Sequence, residues 1–183
     1  MGNHAVTRQG GQTANFCEQL CIARPAPPNQ DAAMRAVIQR VKESKVEIEA
    51  RLISQTGQGL LVLLSVEEGD TAEDRDWLCG KIARMRIFAD NEGKMNLSVT
   101  EAGGEVMVVS QFTLHASTKK GNRPSFLRAA APDVSQPLYD EFCRAMEGEL
   151  GRPVARGLFG ADMRVSLIND GPVTIFIDSR NRE

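Results

Sequence analysis

A short segment at Ser110–Thr113 brings polar groups to the end of an apolar stretch. In "VMVVSQFTLHAST" a serine, a glutamine and a threonine follow four apolar residues. One interpretation is a rim of polar groups and free backbone N–H donors, which can hold a carbonyl or an oxyanion without any titratable side chain. The other is a strand that emerges into solvent, where Gln111 and Thr113 have no partner to find. The spacing alone leaves both open.

A basic loop follows the same segment. Lys119, Lys120, Arg123 and Arg128 lie within ten residues of one another in "TKKGNRPSFLR". A solvated charged loop is one explanation, and phosphate contacts beside a polar pocket are the other.

A third feature is the dipeptide Gly171-Pro172 in "NDGPVTIFID". Proline donates no hydrogen bond to a β-ladder, and glycine allows another group to approach the backbone closely. The dipeptide is therefore either a simple turn or a piece of backbone presented for a purpose.

Several kinds of catalytic site are missing from the sequence. The chain has two histidines, His4 and His115, and it lacks a G-x-S-x-G motif, a phosphate-binding P-loop and a dinucleotide-binding fingerprint. The formal net charge of −2 argues against a strongly basic nucleic-acid clamp but allows a local basic patch. Neither a cofactor nor a metal is expected, because Cys17 and Cys21 form a lone pair without a second pair of ligands.

The periodicity predicts one α/β domain. Short apolar runs and alternating segments predict strands, and two segments with apolar residues at helical spacing predict helices. The predicted order is strand, strand, strand, helix, strand, helix, strand, strand, over residues 35–41, 45–50, 59–66, 71–88, 103–114, 132–150, 163–169 and 172–178. Strands outnumber helices and several connections are short. We therefore expect a mixed, curved, barrel-like β-sheet with helices packed on its outside.

Residues 1–33 differ from the rest in composition. They are rich in Gly, Gln, Asn, Ala and Pro without apolar periodicity, so a disordered N-terminal extension is expected before a domain at 34–183, with Met34 as a candidate start. No apolar run is long enough to cross a membrane. Cys79 and Cys143 lie in helical patterns and are expected to be buried free thiols, which suits a reduced, cytoplasmic protein.

The motifs "SQFTLHA", "KKGNRPSF" and "NDGPVT" together resemble the D-aminoacyl-tRNA deacylase family. The resemblance runs from Met34 to Ser179, about four-fifths of the chain. It implies a homodimer with a barrel-like core and active sites at the dimer interface. The implied substrate is a D-aminoacyl-tRNA, whose ester to the 3′-terminal adenosine is hydrolysed, and glycine on the wrong tRNA is also removed.

The resemblance also implies how the substrate is selected. Gly171-Pro172 would be a cis dipeptide that reaches from one subunit into the pocket of the other. Its carbonyl oxygens would leave no room for the side chain of an L-amino acid, so strict selectivity for D-amino acids is expected.

Roles for the remaining residues follow from the same resemblance. Ser110, Gln111, Phe112 and Thr113 would form the catalytic strand end, where the ribose 2′-hydroxyl of the substrate assists and backbone N–H groups of Phe112 or Thr113 stabilise the oxyanion. Gln111 would orient the substrate. Phe126 would pack against adenine or, equally well, belong to the core. His115 stands where family members often have tyrosine.

Two other functions are compatible with the residues. A non-enzymatic nucleic-acid-binding protein would use the loop from Lys119 to Arg128, although no DNA partner is expected at this net charge. A general esterase would use Thr113 as its nucleophile.

Overall fold

The computed structural model describes residues 33–182, and within them a mixed sheet forms a nearly closed barrel with two helices outside it. The strands are β1 (Arg35–Ile48), β2 (Arg51–Thr56), β3 (Gly59–Ser65), β4 (Phe88–Ala89), β5 (Met95–Leu97), β6 (Glu105–Ser110), β7 (Ala155–Arg156) and β8 (Arg164–Asp178). The helices are α1 (Ala72–Arg84) and α2 (Pro132–Leu150), with a 3₁₀ turn at Phe112–His115. The predicted fold class is therefore confirmed.

The sheet is organised around β1. Its strand order is β2-β1-β3-β6-β7, and β8 also pairs with β1, outside this order. The pairings of β1 with β2, β3 and β8 are antiparallel, whereas β3–β6 and β6–β7 are parallel. The small strands β4 and β5 form a separate hairpin.

The central strand β3 is buried on both faces, as its continuous apolar sequence predicts. Leu60, Val62 and Leu64 face the helices and join the larger apolar cluster with residues of both helices. Leu61 faces the other way, into a smaller cluster inside the barrel. These alternating contacts fix the register of the sheet between the helical layer and the barrel interior.

Both helices begin where the sequence predicts. The Asp74 carboxylate accepts hydrogen bonds from the amide and the hydroxyl of Thr71, at 3.0 and 2.8 Å, and so anchors the start of α1. Pro132 opens α2, where its missing N–H costs nothing, and Gly151 ends it in the left-handed region. Cys79 and Cys143 are buried free thiols between the helices and the sheet, as expected.

Four of the predicted boundaries are wrong. Residues 35–41 and 45–50 form one strand, β1, because β8 pairs along nearly all of it. The two closing strands are likewise one strand, β8. The strand over 103–114 ends at Ser110, after which the chain turns, and the first helix ends at Arg84. The strand β2 was missed because its sequence, "RLISQT", lies largely exposed and has no apolar alternation.

The N-terminal boundary of the described chain is held in place. Ala33, the last residue of the expected extension, is buried, and its amide donates to Glu67 at 3.2 Å. The disorder expected for residues 1–32, and the pair Cys17 and Cys21, lie outside the described residues. Within residues 33–182 no helix has both the length and the apolar character needed to cross a membrane.

Candidate active site

A cavity of about 600 Å³ opens where β6 ends. Ser110, Gln111 and Phe112 form one side of it, and Phe126 lies at the same mouth. The opposite side comes from the start of α2 and from the segment that precedes β8, with lining residues Pro132, Ser135, Tyr139, Phe159 and Met163. Its volume suits a small organic group rather than a single ion.

The wall of this cavity contains almost no group that titrates. None of the lining residues in the described chain is Asp, Glu, His, Lys, Arg or Cys. The exception is Tyr139, whose hydroxyl donates to the Val108 carbonyl at 2.9 Å and whose pKa is raised by burial. The cavity can therefore bind and polarise a substrate, but its side chains supply neither a general acid nor a general base.

The strand end presents backbone donors instead. Within residues 33–182 the amide N–H groups of Phe112 and Thr113 have no hydrogen-bond acceptor, whereas that of Gln111 donates to the Leu64 carbonyl at 2.7 Å. Free amides are expected at the first residues of a helical turn. The positive end of α2 lies across the cavity at Pro132 and adds a favourable field for negative charge.

The turn at Phe112–His115 replaces the expected alternation of strand side chains. Phe112 is 57% exposed at the cavity mouth, and its ring meets that of Phe126 edge to face at 5.2 Å between centroids. Thr113 lies outside the cavity lining, and its hydroxyl accepts a hydrogen bond from the side-chain Nε2 of Gln111. The four residues of the motif are thus adjacent, but they do not all face one space.

His115 holds the turn from inside the core rather than lining the cavity. It is 1% exposed, with Nδ1 2.6 Å from the Ser65 hydroxyl and Nε2 2.8 Å from the Ala33 carbonyl. Burial lowers the pKa of its imidazole, so the ring is neutral at physiological pH. His115 therefore belongs to the core and does not line the cavity.

Gly171 and Pro172 project from the sheet within β8, and Gly171 lies six residues after the cavity-lining Val165. Thr174 pairs with Gln39 and Asn169 pairs with Val41, so residues 170–173 bulge out opposite a single residue of β1, Arg40. Both Gly171 and Pro172 are exposed, and neither lines the cavity of its own chain.

Arg40 fixes this bulge, a role that the sequence analysis missed. Its Nε donates to the Asp170 carbonyl at 2.9 Å and lies 3.6 Å from the Asp170 carboxylate, while Nη1 donates to the Ile87 carbonyl. A side chain added at Gly171 would overlap the Arg40 guanidinium. No sequence signal marks Arg40, because its role depends on the register between β1 and β8.

The expectation of a cis peptide bond at Gly171-Pro172 is wrong for this structure. All peptide bonds of residues 33–182 are trans. The change of direction is made instead by Gly171, whose φ of 119° lies in the region that glycine adopts without a Cβ penalty. The strand β8 therefore pairs with β1 on both sides of the bulge, and the peptide bond within the bulge is trans.

Comparisons with known proteins define the family. A sequence profile described as D-Tyr-tRNA(Tyr) deacylase matches residues 37–178. The "D-aminoacyl-tRNA deacylase" of Parabacteroides distasonis is 59% identical over 150 residues, which are 82% of this chain and all of that protein. The protein of that name from Akkermansia muciniphila is 60% identical over the same shares.

Solved structures agree with the fold. One titled "c-Myc DNA Unwinding Element Binding Protein" has a TM-score of 0.74 at 36% identity, covering 78% of this chain and 97% of that one. Another, titled as a probable eukaryotic D-amino acid tRNA deacylase, has a TM-score of 0.69 at 21% identity, covering 80% and 99%, and it bears on the fold alone.

The barrel with a strand-end cavity is thus that of a hydrolytic enzyme acting on charged tRNA. The chain belongs to the D-aminoacyl-tRNA deacylase family. Proofreading of D-aminoacyl-tRNA is accordingly its activity.

Proposed function

We propose that the chain hydrolyses the ester between a D-amino acid, or mischarged glycine, and the 3′-terminal adenosine of tRNA. The observation that carries this proposal is a cavity without a side-chain acid or base beside two free backbone amides. An ester is activated enough to be cleaved by oxyanion stabilisation and a positioned hydroxyl, with no charged residue in the pocket.

The chemistry assigns a part to each residue of the motif. Water attacks the ester carbonyl, assisted by the ribose 2′-hydroxyl, and the oxyanion accepts hydrogen bonds from the amides of Phe112 or Thr113. The bond to the 3′-oxygen then breaks, and that oxygen leaves with a proton as the 3′-hydroxyl. Gln111 orients the substrate beside Ser110, which lines the cavity.

Thr113 is not assigned a nucleophilic role. Within the described residues its hydroxyl is hydrogen-bonded to the Gln111 side chain. His115, two positions along, is buried, and its two ring nitrogens contact Ser65 and Ala33. A hydroxyl without a neighbouring base is a poor nucleophile.

The test compares the wild type with Thr113→Val on matched D-Tyr-tRNA and L-Tyr-tRNA. We expect cleavage of the D-ester alone, and a Thr113→Val variant that keeps kcat within about tenfold, since it retains the backbone amide. A loss of about a thousandfold would instead favour the general esterase with a threonine nucleophile.

Phe126 is proposed to pack against the adenine ring. It is 37% exposed and stands against Phe112 at the cavity mouth, which is a better position for stacking a base than for filling a core.

We propose that the Gly171-Pro172 bulge acts as a steric gate between two copies of the chain. The bulge at Gly171-Pro172 is exposed and does not line the cavity of its own chain, so a second subunit of a homodimer would receive it. Backbone carbonyls placed in that pocket would exclude an L side chain by steric overlap, which discriminates more strongly than a missing contact does. We place this activity in the cytoplasm, where tRNA is charged.

A further inference from the structure

Three cations of the loop that follows the turn at Phe112–His115 form a group without ion pairs among residues 33–182. From Val106 to Pro132 the sequence contains no Asp or Glu. Lys119, Lys120 and Arg123 are exposed and have no ion-pair partner among residues 33–182. By contrast, Arg128 of the same segment pairs with Glu67. Six other arginines also pair with carboxylates: Arg35, Arg40, Arg75, Arg84, Arg156 and Arg180.

The loop that carries these cations is tied at the cavity mouth. Ser117 and Ser125 exchange two backbone hydrogen bonds, at 2.7 and 2.9 Å, which close the loop at its base. The residue after this base is Phe126, whose ring contacts Phe112 of the catalytic turn. The cations of residues 119–123 are therefore fixed beside the opening rather than elsewhere on the surface.

The shape of the proposed substrate calls for positive charge beside the mouth of the cavity. If the aminoacyl ester lies in the cavity, the rest of the tRNA must leave through the mouth as the single-stranded 3′ end. Its phosphates then pass the loop, and phosphate contacts from lysine and arginine position a nucleic acid without reading its sequence.

We propose that the loop Ser117–Ser125 binds the backbone phosphates of the 3′ end of tRNA through Lys119, Lys120 and Arg123. This inference rests on the proposed ester hydrolysis at the cavity. The loop supplies affinity for the polynucleotide, while the strand-end turn acts on the ester.

The test uses a triple variant, Lys119→Gln, Lys120→Gln and Arg123→Gln, on two substrates. D-Tyr-tRNA contains the phosphates, whereas 3′-O-D-tyrosyl-adenosine contains the ester without them. We expect kcat/KM for D-Tyr-tRNA to fall about tenfold or more through KM, and that for the adenosine ester to stay within about twofold. The slope of log kcat/KM against log salt should shrink by about 2, at about 0.7 for each of three phosphates.

A second triple variant is the matched control. Arg51, Lys81 and Arg144 are exposed and, like the loop cations, form no ion pair within residues 33–182, and changing all three to Gln alters the net charge equally. This control should cleave D-Tyr-tRNA like the wild type. An equal loss in both variants would mean that overall charge, and not the loop, attracts the tRNA, which would overturn the inference.

The remaining outcomes separate the loop from the proposed function. If the loop variant cleaves both substrates like the wild type, or loses both equally, the inference fails and the hydrolysis stands. If the wild type cleaves neither substrate, the proposed function fails, and titration of uncharged tRNA decides the loop: weakened binding by the loop variant alone supports it, and unchanged binding overturns it. Equal loss of affinity for duplex DNA would show a non-selective cationic surface and overturn it as well.

Discussion

Buried polar residues outside the cavity anchor the segments around the start of α1. Glu67 is 3% exposed and accepts hydrogen bonds from Arg128 at 2.7 and 2.9 Å, while its own amide donates to Asp70 at 2.7 Å. Asp74 is fully buried and accepts from Ser179 and Arg180, each at 3.0 Å. These contacts tie both ends of the described chain to the start of α1.

Asp70 is the residue of this group whose ionisation opposes folding. Burial, and then the nearby Asp74 and Glu67 charges, raise its pKa to about 7, and its Oδ1 has no hydrogen-bond partner among residues 33–182. The contribution of the protonated Asp70 carboxyl to the stability of the fold is fully present below pH 4, where folded and unfolded chains both carry the proton. It is lost as the pH rises towards 7, because the unfolded chain releases the proton first.

We therefore expect Asp70→Asn to stabilise the protein at pH 8 by about 2 kcal/mol and to change it little at pH 4. Urea unfolding at both values measures this. Asp76→Asn is the control, since the Asp76 carboxyl is largely exposed. A stability difference for Asp70→Asn that is the same at both pH values would contradict the raised pKa.

At the scale of elements, the parallel pair β3–β6 positions the candidate site, because the turn at Phe112–His115 begins just after β6 ends. Gly59 pairs with Glu105 at the other end of this ladder. A Cβ at Gly59 would overlap backbone atoms of Glu105, which cannot move without shifting the strand. Gly148 on α2, in contrast, has open space around it.

The two glycines give opposite predictions for substitution by alanine. Gly59→Ala should lower the free energy of unfolding by about 2–3 kcal/mol through overpacking. Gly148→Ala should raise it by about 0.5–1 kcal/mol, since alanine is the better helix former. Urea unfolding tests both, and a Gly59→Ala variant as stable as the wild type would show that the β3–β6 contact is not tight.

The elements were predictable from the sequence where the pattern is strong and local. The apolar run of β3 and the helical spacing in α2 define those elements without tertiary information. The single long strands β1 and β8 were not predictable, because their polar interruptions are bulges that pairing tolerates. The same limit applies to the site: the motif located Phe112, but Tyr139 joins the cavity only through the packing of α2.

At the scale of the whole molecule, β8 carries several exposed apolar side chains. Leu167, Ile168 and Phe176 are 38%, 50% and 56% exposed along this strand. Exposed apolar side chains that cluster on one element commonly mark an interface. In the sequence these residues flank the Gly171-Pro172 bulge, which fits a second copy that covers β8 and receives the bulge.

We expect light scattering to give twice the 20.0 kDa of one chain. Phe176→Asp places a charge in the proposed interface and should yield monomers with little activity on D-Tyr-tRNA. Active monomers would show that the site is complete within one chain.

The most direct test of the account is the ratio of kcat/KM for D-Tyr-tRNA to that for L-Tyr-tRNA, measured for the wild type and for Gly171→Ala. The wild type should favour the D-ester by at least about a hundredfold, as steric exclusion allows. Gly171→Ala should reduce that ratio by about tenfold or more, because an alanine is strained at this φ and meets the Arg40 guanidinium. Equal cleavage of both esters by the wild type, or an unchanged ratio in the variant, would contradict selection by this backbone.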